Sequence, residues 1–280
     1  TRTPVRVALF AFIDIKFLCH PQGEMPMETR ITSRDNERVR RICRLLDEGS
    51  ARAEAGCFVA ESAKLCADIA AVLPPREVYY TEAALKKNPA LAALAGEHYL
   101  LAEHVAEKLA RTRTTQGVWA VFDTPPAAAE NLTGRRILAL DAVQDPGNLG
   151  AVLRSAAAFG WQGVLLGPGC ADAYGVKALR AAMSSTVKIP VARTDDLAGA
   201  LCALRQKGYT CFAARLEDSE ELPAAAQDAP MVLVVGSEGR GISDGMLALC
   251  EKTLKIPMRE RCESLNAAAA ATIVLWEMYR

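Results

Sequence analysis

From Arg135 onward the chain alternates between two apolar rhythms. Short runs of aliphatic and β-branched residues predict strands at RILALD (136–141), GVLLG (163–167), VKIPVAR (187–193), YTCFAAR (209–215), MVLVVG (231–236) and TLKIPM (253–258). Between them, apolar residues recur three or four apart. That spacing predicts helices from a Gly-rich bend to Phe159, over VKALRAAM (176–183), over DDLAGALCALRQKG (195–208), and over a long closing stretch, SLNAAAAATIVLWEMYR (264–280). Strands alternating with helices predict a parallel sheet covered on both faces.

The first half carries a second alternation. Residues 31–46 read as one helix, with Ile31, Val39, Ile42, Leu45 and Leu46 on its apolar side and arginines interleaved. Strands follow at CFVAE (57–61), EVYY (77–80), HYLL (98–101) and VWAVF (118–122), with helices over 62–73 and 103–111. The Pro- and Ala-rich stretch 124–134 lacks a period and reads as a linker. Residues 1–27 read as an extension outside the fold, disordered or non-native. Their apolar run VALFAFIDIKFL is broken by Asp14 and Lys16 and is too short to span a membrane.

Composition adds limits rather than a function. With 33 basic and 33 acidic residues the formal net charge is zero, so a polyanionic partner must be met by a local patch. Nine cysteines form no CxxC pair, and the three histidines stand apart from them, so no metal site is predicted. The thiols read as reduced and mostly buried, in a cytoplasmic protein.

Candidate chemistry lies in three loops that follow strands: DAVQDPGNLG (141–150), GSEGRGIS (236–243) and MRERCESLN (258–266). In open α/β sheets, ligands bind outside the carboxyl ends of strands. GSEGRG is neither a dinucleotide fingerprint nor a P-loop, because its spacing is wrong and no G-K-[ST] follows. Its Glu238 suits a ligand hydroxyl, amine or cation. Asn148, at a helix start, suits either a cap or a ligand contact.

DAVQDPGNLGAVLRSAAAFG, VLVVGSEGRGIS and IPMRERCESLN together resemble the three ordered motifs of the SpoU (TrmH-like) branch of the SPOUT RNA methyltransferases. ITSRDNERVRR (31–41), CFVAES (57–62) and RTRTTQGVWAVF (111–122) resemble that family's L30e-like substrate-binding domain. The resemblance implies an RNA substrate-binding domain over 28–123, a linker, and a trefoil-knotted methyltransferase domain with a parallel sheet over 135–280. It implies methyl transfer from S-adenosylmethionine to a ribose 2′-OH of structured RNA, with 23S rRNA ahead of tRNA, by a homodimer formed through the knotted domain.

By the same resemblance the catalytic positions are Asn148, Arg154, Glu238, Ser264 and Asn266, and the cofactor-binding positions Gly236, Gly241, Ile256, Met258 and Leu265. A ribose hydroxyl must lose its proton as the methyl carbon is attacked, so the site must stabilise an alkoxide and hold the reacting atoms in line. Arg154 is expected to face the ribose and supply that stabilisation. Arginine keeps its proton in nearly all proteins, which makes this a smaller assumption than general base. Arg34, Arg38, Arg41 and Arg113 are the expected phosphate contacts. A non-catalytic RNA- or ribosome-binding protein on the same fold is the alternative of another class; the complete polar set argues against it.

Overall fold

The computed structural model describes residues 29–112, 115–214, 220–221, 229–237, 239–258 and 265–279; the 1–27 extension and Arg113, Glu238 and Ser264 lie outside them. The first half contains β1 (Thr29–Ile31), α1 (Glu37–Asp47), α2 (Gly49–Ala55), β2 (Cys57–Glu61), α3 (Ala63–Ala70), β3 (Pro75–Thr81), α4 (Glu82–Lys87), β4 (Glu97–Leu101), α5 (Glu103–Leu109) and β5 (Val118–Asp123). Its strands form a mixed sheet ordered β1-β4-β3-β5-β2, in which β5 runs antiparallel to both neighbours.

The second half contains β6 (Arg136–Asp141), α6 (Pro146–Ala158), β7 (Gly163–Leu166), α7 (Val176–Ala182), β8 (Val191–Arg193), α8 (Leu197–Gln206), β9 (Thr210–Ala214), β10 (Glu220–Glu221), β11 (Met231–Gly236), α9 (Asp244–Leu247), β12 (Lys252–Lys255) and α10 (Ala267–Glu277). Its sheet is ordered β10-β12-β9-β11-β6-β7-β8, and every pairing is parallel, as the alternation predicts. The path from β12 back to α10 runs through 259–264, outside the described residues.

Period two explains why β6 is central. Leu138 and Leu140 enter one core with Leu149, Val152 and Leu153 of α6 and Val274 and Leu275 of α10. Ile137 and Ala139 enter the opposite core with Leu197, Leu201 and Leu204 of α8. Burying each such leucine contributes roughly 1.5–3 kcal/mol. On α8 the leucines recur at i, i+4 and i+7, and Asp196 caps the helix by accepting from the Gly199 amide at 2.8 Å.

Three expected elements change. The helix read over 31–46 begins only at Glu37, where the Asn36 side chain accepts from Arg38 N at 2.9 Å. Ile31 instead ends an edge strand, paired with Leu101. A single apolar residue satisfies either period, and the cap decides. The strand read over 187–193 shrinks to Val191–Arg193, because Met183–Val187 is a 3₁₀ turn. Pro190 has no N–H for the ladder, although its carbonyl accepts from Val164 N at 2.9 Å. The strand read over 253–258 stops at Lys255, two residues before Pro257.

The halves meet along α7. Val176 packs on the first-half core under α1, Leu179 sits in the one under α3, and Ala182 belongs to the core under α6. Buried Arg52 seals the junction, donating to Asp172 Oδ2 at 2.7 Å and to the Leu46 carbonyl of α1 at 3.3 Å. The stretch 124–134 is packed rather than bare: it forms a 3₁₀ turn at Ala129–Asn131 and buries Leu132 against α8.

Candidate active site

The strand order reverses at β6. The chain moves outward through β7 and β8, then returns to lay β11 on β6's other side, with Gly236 in register with Asp141. A ligand crevice opens at such a switch point, beyond the carboxyl ends of the strands. Asp141 ties two of the candidate loops together: its Oδ2 accepts from Ser243 N at 2.9 Å and Ser243 Oγ at 2.8 Å.

Gly236 is required by its own loop. Ser237 and Gly241 exchange backbone hydrogen bonds at 3.0 and 2.9 Å, folding the loop back so that a Cβ on Gly236 would overlap Gly241 and Ile242. Gly241 adopts φ +67°, and a Cβ there would meet open space. Ala142, next to Asp141, holds φ +56° without being glycine, a strained conformation at the crevice.

The cap of α6 falls to Asp145, not Asn148. Asp145 Oδ1 accepts from Asn148 N at 2.9 Å, and its other oxygen accepts from Lys177 Nζ at 2.7 Å. The Lys177 bond, then the Asn148 amide, hold the Asp145 carboxyl below the usual aspartate range. Asn148 thus keeps its side chain free for Asn266, whose amide donates to Asn148 Oδ1 at 3.1 Å. Loops one and three are thereby joined across 118 positions of sequence.

Arg154 stands elsewhere on α6. It is six residues beyond Asn148, so about 9 Å along the axis and on another face. Its side chain is exposed, with no hydrogen bond or ion pair to any described residue. The next residue, Ser155, meets Thr272 of α10 at 2.7 Å between hydroxyls. Gly150 faces the other way, so close to α7 that a Cβ would overlap the Ala178 carbonyl.

Ile256 and Met258 follow β12 and are half-exposed, and Leu265 is 36% exposed just before Asn266. These apolar side chains, the folded glycine loop and the open space at Gly241 suit a bent ligand with both apolar and polar parts. Among the described residues no cluster could hold a metal ion.

The expected phosphate contacts are largely engaged within the protein. Arg34 donates to the His104 carbonyl at 2.8 Å and to Glu107 at 3.1 Å. Arg41 pairs with Glu77; Arg38 pairs with Glu77 at 3.6 Å and lies 4.4 Å over the Tyr99 ring. Beside them Arg40 and Arg44 help line a shallow groove of about 710 Å³. The sequence reading missed Asp145, Lys177, Asp141 and Ser243 as organisers. Asp145 alone had a local signal, an Asp three residues before Asn148 and directly before a proline.

A SpoU rRNA methylase family model matches residues 135–276, and an MRM3-like substrate binding domain model matches residues 36–120. The chain belongs to the SpoU rRNA methylase family. As a SpoU member it is an RNA methyltransferase. It is 36% identical over 180 residues to RlmP of Bacillus subtilis, a 23S rRNA (guanosine(2553)-2'-O)-methyltransferase, across 64% of this chain and 71% of that one. An AdoMet-bound rRNA methyltransferase from Sinorhizobium meliloti superposes with TM-score 0.77 at 28% identity, covering 89% of this chain and 97% of that one. The SpoU methyltransferase AviRb from Streptomyces viridochromogenes, in complex with AdoMet, gives TM-score 0.77 at 26% identity over 87% and 97% of the two chains.

Proposed function

We propose that the protein transfers a methyl group from S-adenosylmethionine to a ribose 2′-OH of 23S rRNA. The observation that carries the reading is the meeting of the three loops at the ends of β6 and β11, through Ser243–Asp141 and Asn266–Asn148. The glycine loop with Gly236 and Gly241, together with Ile256, Met258 and Leu265, holds the cofactor, which supplies an electrophilic methyl group when bound.

Asn148 and Asn266 position the ribose, with Glu238 and Ser264 completing the polar set. Arg154 steadies the developing alkoxide and a neighbouring phosphate with its guanidinium. An exposed arginine in water is a weak stabiliser, so the site needs a cover. Ile273 and Trp276 of α10 and Tyr279 just beyond its end are 39%, 42% and 47% exposed, and Phe159, the C-cap of α6, packs against the last two at 5.3 and 6.0 Å. An exposed apolar surface of this kind supports reading it as an interface. A second copy seated there forms a homodimer and dries the neighbouring face of α6. Residues 28–123 present the RNA, 124–134 connect, and 135–280 carry the chemistry, in the cytoplasm.

The test is methyl transfer from labelled cofactor to protein-free 23S rRNA by the full chain, followed by alkaline hydrolysis. An alkali-resistant labelled dinucleotide is expected. No transfer, or label released on mononucleotides, overturns the reading.

A further inference from the structure

A second cleft, of about 380 Å³, lies between the halves and is lined by no residue of the loops just described. Glu61, Ser62 and Leu65 form one wall, Thr112 and Gln116 another, and Arg180 and Met183 the third. Its size falls in the range of small-ligand sites.

The groups in it are unevenly satisfied. Arg180 is exposed, and its guanidinium has no hydrogen bond or ion pair with any described residue. Glu61 is buried, yet its carboxylate takes neutral donors, the Arg111 amide at 3.3 Å and the Thr112 hydroxyl at 3.1 Å. Gln116 uses its oxygen on the Ala63 amide at 3.2 Å, which leaves its NH₂ to donate. Leu65 and Met183 add apolar surface.

A cleft lined by both an acceptor carboxylate and an unpaired guanidinium favours a ligand with more than an anionic group, because the carboxylate repels a bare phosphate ion. It suits a ligand whose anionic and hydrogen-donating parts are separated by a flat apolar body. A nucleotide has that form: phosphate, ribose hydroxyl and base N–H. The cleft also sits on the path such a chain would take. Arg180 and Lys177 are one turn apart on α7, and Lys177 is bonded to Asp145 at the start of α6.

We propose that this cleft holds one unpaired nucleotide of the substrate RNA, with its phosphate on Arg180 and a ribose or base donor on Glu61. Proteins read RNA mostly at such splayed-out nucleotides. The proposal deepens the RNA-methyltransferase reading and rests on it for the identity of the chain.

The experiment uses the full chain in two arms. Binding of a fluorescein-labelled ten-uridine RNA is followed by polarisation across a salt series, and methyl transfer to 23S rRNA is followed by steady-state kinetics. Arg180→Ala is expected to raise Kd and KM about tenfold, to leave kcat within about twofold, and to lower the salt slope by about one. Arg180→Lys restores most of the affinity. Unchanged Kd, KM and slope in an active Arg180→Ala protein overturn the cleft and leave the enzymatic reading intact. A fall in kcat with KM unchanged also overturns it, by making Arg180 structural. A wild-type chain that transfers no methyl group overturns the enzymatic reading, and the binding arm still decides the cleft.

Discussion

Asn266 does two things with one side chain. Its amide nitrogen donates to Asn148 Oδ1 at 3.1 Å, and its oxygen caps α10 by accepting from Ala268 N at 3.0 Å and Ala269 N at 3.2 Å. The start of α10 is thereby fixed to the start of α6. Asn266→Asp keeps a capping oxygen but has no hydrogen to give Asn148. Its stability is expected to stay within about 0.5 kcal/mol of wild type, while methyl transfer drops. Asn266→Ala loses about 1 kcal/mol as well. Urea denaturation and transfer rates, run side by side, check both; a fully active Asp variant refutes the positioning role.

Arg154 separates chemistry from folding. Its exposed side chain bonds to no described residue, so Arg154→Ala is expected to change stability by less than about 0.5 kcal/mol. Methyl transfer should nevertheless fall at least a hundredfold, the order of one removed oxyanion donor. Calorimetry of cofactor binding should show near wild-type affinity. Retention of full activity removes Arg154 from the mechanism.

Arg52 is the opposite case. It is 7% exposed and bridges Asp172 and the carbonyl end of α1. Arg52→Ala strands these acceptors, and we expect a loss of about 3 kcal/mol, seen as a lower thermal midpoint. Arg52→Lys recovers little, because an ammonium cannot reproduce the planar fork.

The dimer proposed above makes the exposed apolar stripe along α10 its interface. Trp276→Glu places a charge at its centre, beside Phe159 and Tyr279. Sedimentation should show the wild type as a dimer and this variant as a folded monomer with little activity. A wild-type monomer, or an unchanged dimer in the variant, excludes this surface as the interface.

One ion pair gives a pH signature. Arg111 donates to both oxygens of Asp47 at 2.6 Å, and that bond holds the Asp47 carboxyl below its ordinary value. A depressed carboxyl contributes fully above the ordinary aspartate range near pH 4, and its contribution is lost as pH falls through the folded value. Asp47→Asn should cost less than about 1 kcal/mol at pH 7, as exposed pairs do. The gap between urea midpoints should close toward pH 3. A constant gap assigns the loss to something other than charge.

The apolar pattern alone carried most of the second sheet. RILALD and MVLVVG match β6 and β11 to the residue, because strands buried on both faces tolerate no polar interruption. The family was legible too, since three loops in fixed order retain their glycines and polar residues. Local competition was less legible. Ile31 joined a strand and the strand read over 187–193 began only at Val191, because a cap at Asn36 and the missing donor of Pro190 outweighed an ambiguous apolar period.

The sequence also placed Asn148 and Arg154 near one another, since both sit in the first motif. Only the folded chain revealed which neighbours each would have. Asp145 took the cap, so Asn148 turned to a residue 118 positions away, while the helical twist carried Arg154 to a different face. The same holds for the arginines of α1: in sequence they are a basic run, and in the fold Arg38 and Arg41 answer to Glu77. Periodicity is a property of adjacent residues and survives in the string of letters. The partner that satisfies a charge or an amide is fixed by which distant strands come side by side, and that is decided only when the sheet closes.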